Sequence, residues 1–129
     1  MKFLRWFTTL FGIAATSVSV AAPPSAQNPE HAVIVHFNYG SKDLTRLFAL
    51  EEKLEAAIIK AGVGEYDGNE VATDGSDGNL YMYGPDADKL LQVVKPILEA
   101  TPFMRGAKVK KRYGPPEPDV KESVVVINL

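Results

Sequence analysis

The chain has 129 residues, 46% of them hydrophobic, which supports one compact core and excludes two ordinary domains. It contains no cysteine, so disulfides, thiolate metal sites and cysteine lipidation are excluded and packing alone must hold the fold. The formal charge of −2 gives no reason to expect general affinity for polyanions.

At the N-terminus, Lys2 and Arg5 precede an apolar stretch from Trp6 to Val20 that carries no charge and ends among the small residues Ser19, Ala21 and Ala22. This order of basic, apolar and small residues predicts a cleaved secretory signal over residues 1–21, and hence a periplasmic or secreted protein. The apolar run is shorter than the roughly 20 residues of a transmembrane helix, so membrane attachment is expected only through an uncleaved signal. Removing Lys2 and Arg5 leaves 12 of the 14 basic residues against 16 acidic ones, a net charge of −4. Residues 22–30 hold Pro23, Pro24 and Pro29, which remove backbone donors and disfavour helix, and they read as a linker.

A single α+β domain is expected over residues 31–129. Residues 31–37 are β-branched, aromatic and almost continuously apolar, as a central strand requires. After a turn at Asn38, Tyr39 and Gly40, Ser41 is placed to cap a helix over residues 42–61. Its core stripe is Leu47, Leu50, Leu54, Ala57, Ile58 and Ala61, and Gly62 stops it. Strands are predicted over residues 63–73, with a bulge at Gly68, and over residues 79–83. A turn at residues 74–77 would set Val71 opposite Leu80, Asn69 opposite Met82 and Glu70 opposite Tyr81. Alternation then puts Val71, Leu80 and Met82 on the core face and Glu70, Tyr81 and Tyr83 on the other.

Pro85 and Asp86 open a second helix with Leu90, Val94, Ile97 and Leu98 buried, and Pro96 is expected to kink it or loosen its last turn. Residues 101–106 read as a loop, residues 107–113 as a fourth strand, residues 114–119 as a proline-rich loop and residues 121–129 as a fifth strand. The order of elements, with one apolar stripe per helix, predicts a ferredoxin-like βαββαβ two-layer sandwich with an additional C-terminal antiparallel strand.

Few side chains suggest chemistry. Glu65, Asp67, Glu70, Asp74 and Asp77 are acidic, but Asp74-Gly75-Ser76-Asp77-Gly78 lacks the ligand ladder of a calcium loop, so turn chemistry explains it and no metal is expected. Glu51 and Glu55 lie one turn apart and read as a solvated flank of the first helix. His36, mid-strand, has no nucleophile motif to complete and reads as a hydrogen-bonded sheet histidine; no catalytic residue or cofactor is assigned. Lys108, Lys110 and Arg112 share one strand face and read as a basic strand guarding a sheet edge. Together with Tyr81 and Tyr83 they are similar to an RNA-recognition sheet, but Gly78 to Tyr83 lacks its basic glycine-rich signature and no nucleic acid is expected.

Tyr66-Asp67-Gly68-Asn69-Glu70, then Leu80-Tyr81-Met82-Tyr83-Gly84-Pro85-Asp86-Ala87-Asp88, then Pro96, and Arg112-Tyr113-Gly114-Pro115-Pro116 resemble a group of small bacterial ferredoxin-like proteins. The resemblance spans nearly all of residues 31–127. The hairpin and following helix are more distantly similar to regulators of ribonuclease activity of the B type, which act by binding an enzyme. These resemblances imply a ferredoxin-like fold and a binding module, and they carry over no functional residue. The expectation is therefore a non-catalytic module that binds a protein partner or itself, as a homodimer, through a sheet face bearing Glu70, Tyr81, Tyr83 and His36. The alternative is a small enzyme in which a dimeric ferredoxin-like barrel encloses a pocket using His36 and the tyrosines.

Overall fold

The computed structural model describes residues 30–129; the expected signal at 1–21, and all but the last residue of the expected linker, lie outside the described residues. The elements are β1 (His31–Asn38), α1 (Thr45–Ala61), β2 (Glu65–Val71), β3 (Asp77–Gly84), α2 (Ala87–Glu99), β4 (Lys108–Arg112) and β5 (Glu122–Val126). A 3-10 turn at Pro102–Met104 lies within the expected loop between α2 and β4. The strands form one five-stranded antiparallel sheet in the order β2-β3-β1-β4-β5.

One face of the sheet is closed by both helices. Val33, Val35 and Phe37 of β1, Leu80 and Met82 of β3 and Val109 of β4 join Leu47, Leu50, Leu54 and Ile58 of α1 in a single core. Ala87, Leu90, Leu91, Val94 and Leu98 of α2 join them, as do Tyr39, Met104, Ala107 and Ile127 from the connecting segments. Every one of these side chains is almost wholly removed from water, each worth about 1.5 to 3 kcal/mol for the larger aliphatic ones. No helix among the described residues is long and apolar enough to cross a membrane.

Helix ends follow local chemistry, with one correction. Gly62 adopts the left-handed conformation at the end of α1, and its N–H bonds to the carbonyl of Ile58 at 2.9 Å. Ser41 does not cap α1. Its Oγ accepts from the Asp43 N–H, the Asp43 carboxylate accepts from the Thr45 N–H, and the helix starts three residues later than its spacing predicts. At α2 the Asp86 carboxylate accepts from the N–H groups of Asp88 and Lys89, at 3.0 and 3.2 Å. Pro96 is accommodated inside α2, which continues to Glu99 and ends with the Thr101 hydroxyl donating to the Ile97 carbonyl.

The β2–β3 register differs from expectation by two residues. Val71 pairs with Gly78, Glu70 with Asn79 and Asn69 with Leu80. The cause is long-range: the N–H groups of Gly40 and Ser41 bond to the Gly75 carbonyl, and that of Tyr39 bonds to the Ser76 carbonyl. The turn is therefore docked on the β1–α1 loop, and the Ala72 N–H bonds to the Asp77 carbonyl to close it. A bulge does occur beside Gly68, between the pairs Tyr66–Met82 and Gly68–Tyr81.

Candidate functional site

The face of the sheet away from the helices collects the residues that alternation turns outward. Across its centre, Ile34 of β1 sits between Tyr81 of β3 and Lys110 of β4. Ala32 sits between Tyr83 and Arg112 in one flanking row, and His36 between Asn79 and Lys108 in the other. The rows extend to Glu65 and Glu70 on β2 and to Glu122, Val124 and Val126 on β5. Because a two-residue shift preserves strand parity, Glu70, Tyr81 and Tyr83 share this face despite the altered register. His36 shares it too.

The resulting pattern runs in stripes across the strands. Glu65 and Glu70, with Asp77 at the start of β3, make one acidic side. Tyr81, Tyr83 and Ile34 make an aromatic and apolar centre, with Ala32 wholly buried among its neighbours. Lys108, Lys110 and Arg112 make a basic stripe on β4, and Val124 and Val126 are exposed beyond it, at 60% and 45%. The expectation that the basic strand guards an edge is corrected: β4 is an interior strand, between β1 and β5.

Several of these groups are already paired within the chain. The Tyr81 hydroxyl donates to the Glu70 carboxylate, and that bond holds the phenol above its ordinary range. His36 Nε2 lies 3.0 Å from the Asp77 carboxylate, with both side chains nearly half exposed. Lys110 Nζ lies 3.9 Å from the Glu122 carboxylate. The His36–Asp77 pair is invisible in sequence order because the two residues are 41 positions apart.

Two polar clusters lie on the helix side. Glu51 is half-buried, and its Oε2 accepts from the Tyr66 hydroxyl at 2.5 Å and from the Asn69 amide at 2.6 Å. The reading of Glu51 as a solvated flank is therefore corrected; only Glu55 stays exposed. Burial, followed by the bond to Glu51, pushes the Tyr66 phenol far above its ordinary range. Near the start of α2, Asp88 accepts from Lys111 Nζ at 2.8 Å and from the Tyr113 hydroxyl at 2.7 Å. Those bonds depress the Asp88 carboxyl, and the bond to Asp88 raises the Lys111 ammonium.

The acids of the hairpin do not converge. Asp74 accepts from the Ser76 N–H, Glu70 faces Tyr81 and Asp77 faces His36, and no group of three or more potential ligands among the described residues is arranged to hold a metal ion. A cleft of about 220 Å³ beside the turn is lined by Lys42, Leu44, Val71, Ala72, Thr73 and Gly75, away from His36 and the tyrosines. No protein-family model, curated protein or solved structure shows significant similarity to this chain. The chemistry of the open face, rather than kinship, has to carry the functional reading.

Proposed function

We propose that this protein is an exported, non-catalytic interaction module that binds a protein partner through the open face of its sheet. The reading includes a ferredoxin-like βαββαβ core with β5 added beside β4, which the strand order and the placement of both helices on one side support. The resemblance to small bacterial ferredoxin-like proteins points the same way. The observation that carries the reading is the layout of the uncovered face: aromatic and apolar at the centre, acidic on the β2 flank, basic along β4, with Val124 and Val126 exposed at the β5 edge. Exposed aromatic and aliphatic side chains set among charged groups are the composition of protein-binding surfaces.

The test is affinity capture with chemical crosslinking from the envelope fraction of the source cell, comparing the wild-type chain with Tyr81→Ala/Tyr83→Ala. Both tyrosines point away from the core, so the variant keeps its fold, checked by circular dichroism, and loses the captured partner. Equal capture by a folded variant refutes the reading. The enzymatic alternative draws on one observation, the His36–Asp77 contact on the same face as Tyr81. It requires a pocket over His36, which is half exposed in the single chain. Full activity of His36→Ala on any substrate found would dispose of it.

A further inference from the structure

We infer that the occupant of the open face is a second copy of this chain, packed face to face about a two-fold axis that runs parallel to the strands. The inference rests on the interaction-module reading and names its partner. Its basis is the order of charge across the sheet. Acidic side chains stand on β2 and at the start of β3, cations stand on β4, and the uncharged centre of Tyr81, Tyr83 and Ile34 lies between; beyond β4, the one acid on β5, Glu122, is paired with Lys110 of its own chain.

With the strands of the two sheets aligned, two face-to-face arrangements are open to a symmetric pair. An axis perpendicular to the strands sets β2 on β2 and β4 on β4, bringing acids against acids and Lys108, Lys110 and Arg112 against themselves. Such like-charge contacts oppose association. An axis parallel to the strands reverses the strand order of the second copy. Then β3 of one copy faces β4 of the other and β2 faces β5, on both sides of the axis. One like-charge contact remains, Glu65 opposite Glu122, with Arg112 next to Glu122 in the same row, whereas Glu70 meets Val126.

In the parallel arrangement Tyr81 and Tyr83 lie under the Lys110 and Arg112 side chains of the other copy, which suits contact between cations and aromatic faces. The long basic side chains also reach toward Glu65 and Glu70 across the strand boundary. Val124 and Val126, exposed on β5, gain a cover. Stacked sheets sit about 10 Å apart, a gap that tyrosine and lysine side chains fill from either side.

The size of the face is consistent with a reversible dimer. Five strands at about 4.8 Å spacing, eight residues long at β1 and β3 but five at β4 and β5, give a face of roughly 500 Å² in projection. Standard interfaces bury about 800 Å² per partner, and a side-chain surface exceeds its projection. A dimer that dissociates on dilution through the micromolar range is the expected behaviour.

The experiment uses sedimentation velocity over a concentration series, with two charge-reversed variants: Glu65→Lys/Glu70→Lys and Lys108→Glu/Lys110→Glu. Both pairs are on the solvent side of the sheet, and thermal melts verify folding. Wild type is expected to dimerise, and each variant alone to dimerise about tenfold more weakly or not at all. Mixed together, the variants regain both contacts, because one chain is then basic on both flanks and the other acidic on both. An affinity tag on one variant therefore retains the other. A wild type that stays monomeric at about 0.5 mM overturns the inference, as does a dimer that both variants form as well as wild type, or a mixture that does not associate. A monomer that still captures a different protein through Tyr81 and Tyr83 overturns the second copy alone and leaves the interaction module standing. A monomer with no Tyr81-dependent capture removes both.

Discussion

The contact between α1 and the edge strand β2 is the most informative place to perturb the fold, since one carboxylate oxygen of Glu51 takes two hydrogen bonds there. Hydrogen bonds to a charged group contribute about 1.5 to 3 kcal/mol, and the half-buried setting favours the low end. Tyr66→Phe removes one such bond while preserving the ring against the core, and should cost about 1 to 2 kcal/mol. Glu51→Ala removes both bonds but gains a few tenths of a kcal/mol in helix propensity, so about 2 kcal/mol is expected. In the double variant the Tyr66–Glu51 bond is lost only once, which gives a coupling of about 1 kcal/mol. Urea unfolding at pH 7 measures all three. The phenol adds an independent readout. Its folded value lies above the ordinary value of 10.0, so its contribution is complete below pH 10 and is lost as pH rises beyond it. Wild type and Tyr66→Phe should therefore converge in stability above pH 10, and absorbance near 295 nm should show one tyrosine ionising only on unfolding. A coupling below about 0.3 kcal/mol, or a stability gap that does not narrow with alkali, refutes the argument.

Gly75 has a φ of +74°, and a Cβ there would overlap the Ser41 carbonyl oxygen. Gly75→Ala should cost about 2 to 4 kcal/mol, combining left-handed strain with a backbone clash, and a urea midpoint close to wild type would count against the docked turn. Asp86→Ala removes the acceptor of two N–H groups at the start of α2 and should lower stability by about 1 kcal/mol, a fall in melting temperature of roughly 4 to 8 °C. Asp88 is held below its ordinary value, chiefly by its bond to Lys111, so its stabilisation is present above the ordinary carboxyl range and is lost as pH falls through the depressed folded value. Wild type should exceed Asp88→Asn in stability at pH 7 and approach it below about pH 4, as read by melts across an acid series.

What can be read from the chain depends on the range over which each choice is made. Gly62 and Asp86 end and begin helices by contacts within a few residues, and both stand where local chemistry puts them. Leu80 and Met82 face the core, and Tyr81 and Tyr83 face away, because strand parity survives any even change of register. The hairpin register itself is illegible. Several glycines and aspartates between Thr73 and Gly78 can each make a turn, and the selection falls to the β1–α1 loop, more than thirty residues earlier. Glu51 escapes for a related reason: its helical position borders the apolar stripe, and only tertiary packing brings Tyr66 and Asn69 to it. The interior position of β4 likewise needs the strand order, since a run of lysines reads the same on an edge strand as beside one. For the open face, Tyr81, Tyr83, Glu70 and His36 are nameable from the sequence, whereas Ile34, Val124 and Val126 resemble any other strand residues until neighbours are known.

The internal pairs on the open face bear on how a second copy would bind. Glu70 is engaged by Tyr81, Asp77 by His36 and Glu122 by Lys110, so a charged contact to another chain at those groups exchanges one partner for another. Exchange of this kind yields little net energy, as exposed ion pairs in general do. Glu65 and Lys108 have no side-chain ion pair among the described residues and stand on opposite flanks. Their charges act without exchange, at long range, and therefore mainly guide encounter and orientation. Affinity then has to come from the uncharged centre. Raising salt should accordingly slow association of the two copies far more than it speeds their separation, while Tyr81→Ala should speed separation and leave the salt dependence of association intact. Stopped-flow dilution and mixing experiments across an ionic-strength series separate the two rates, and a salt effect confined to dissociation would contradict this division between the flanks and the centre.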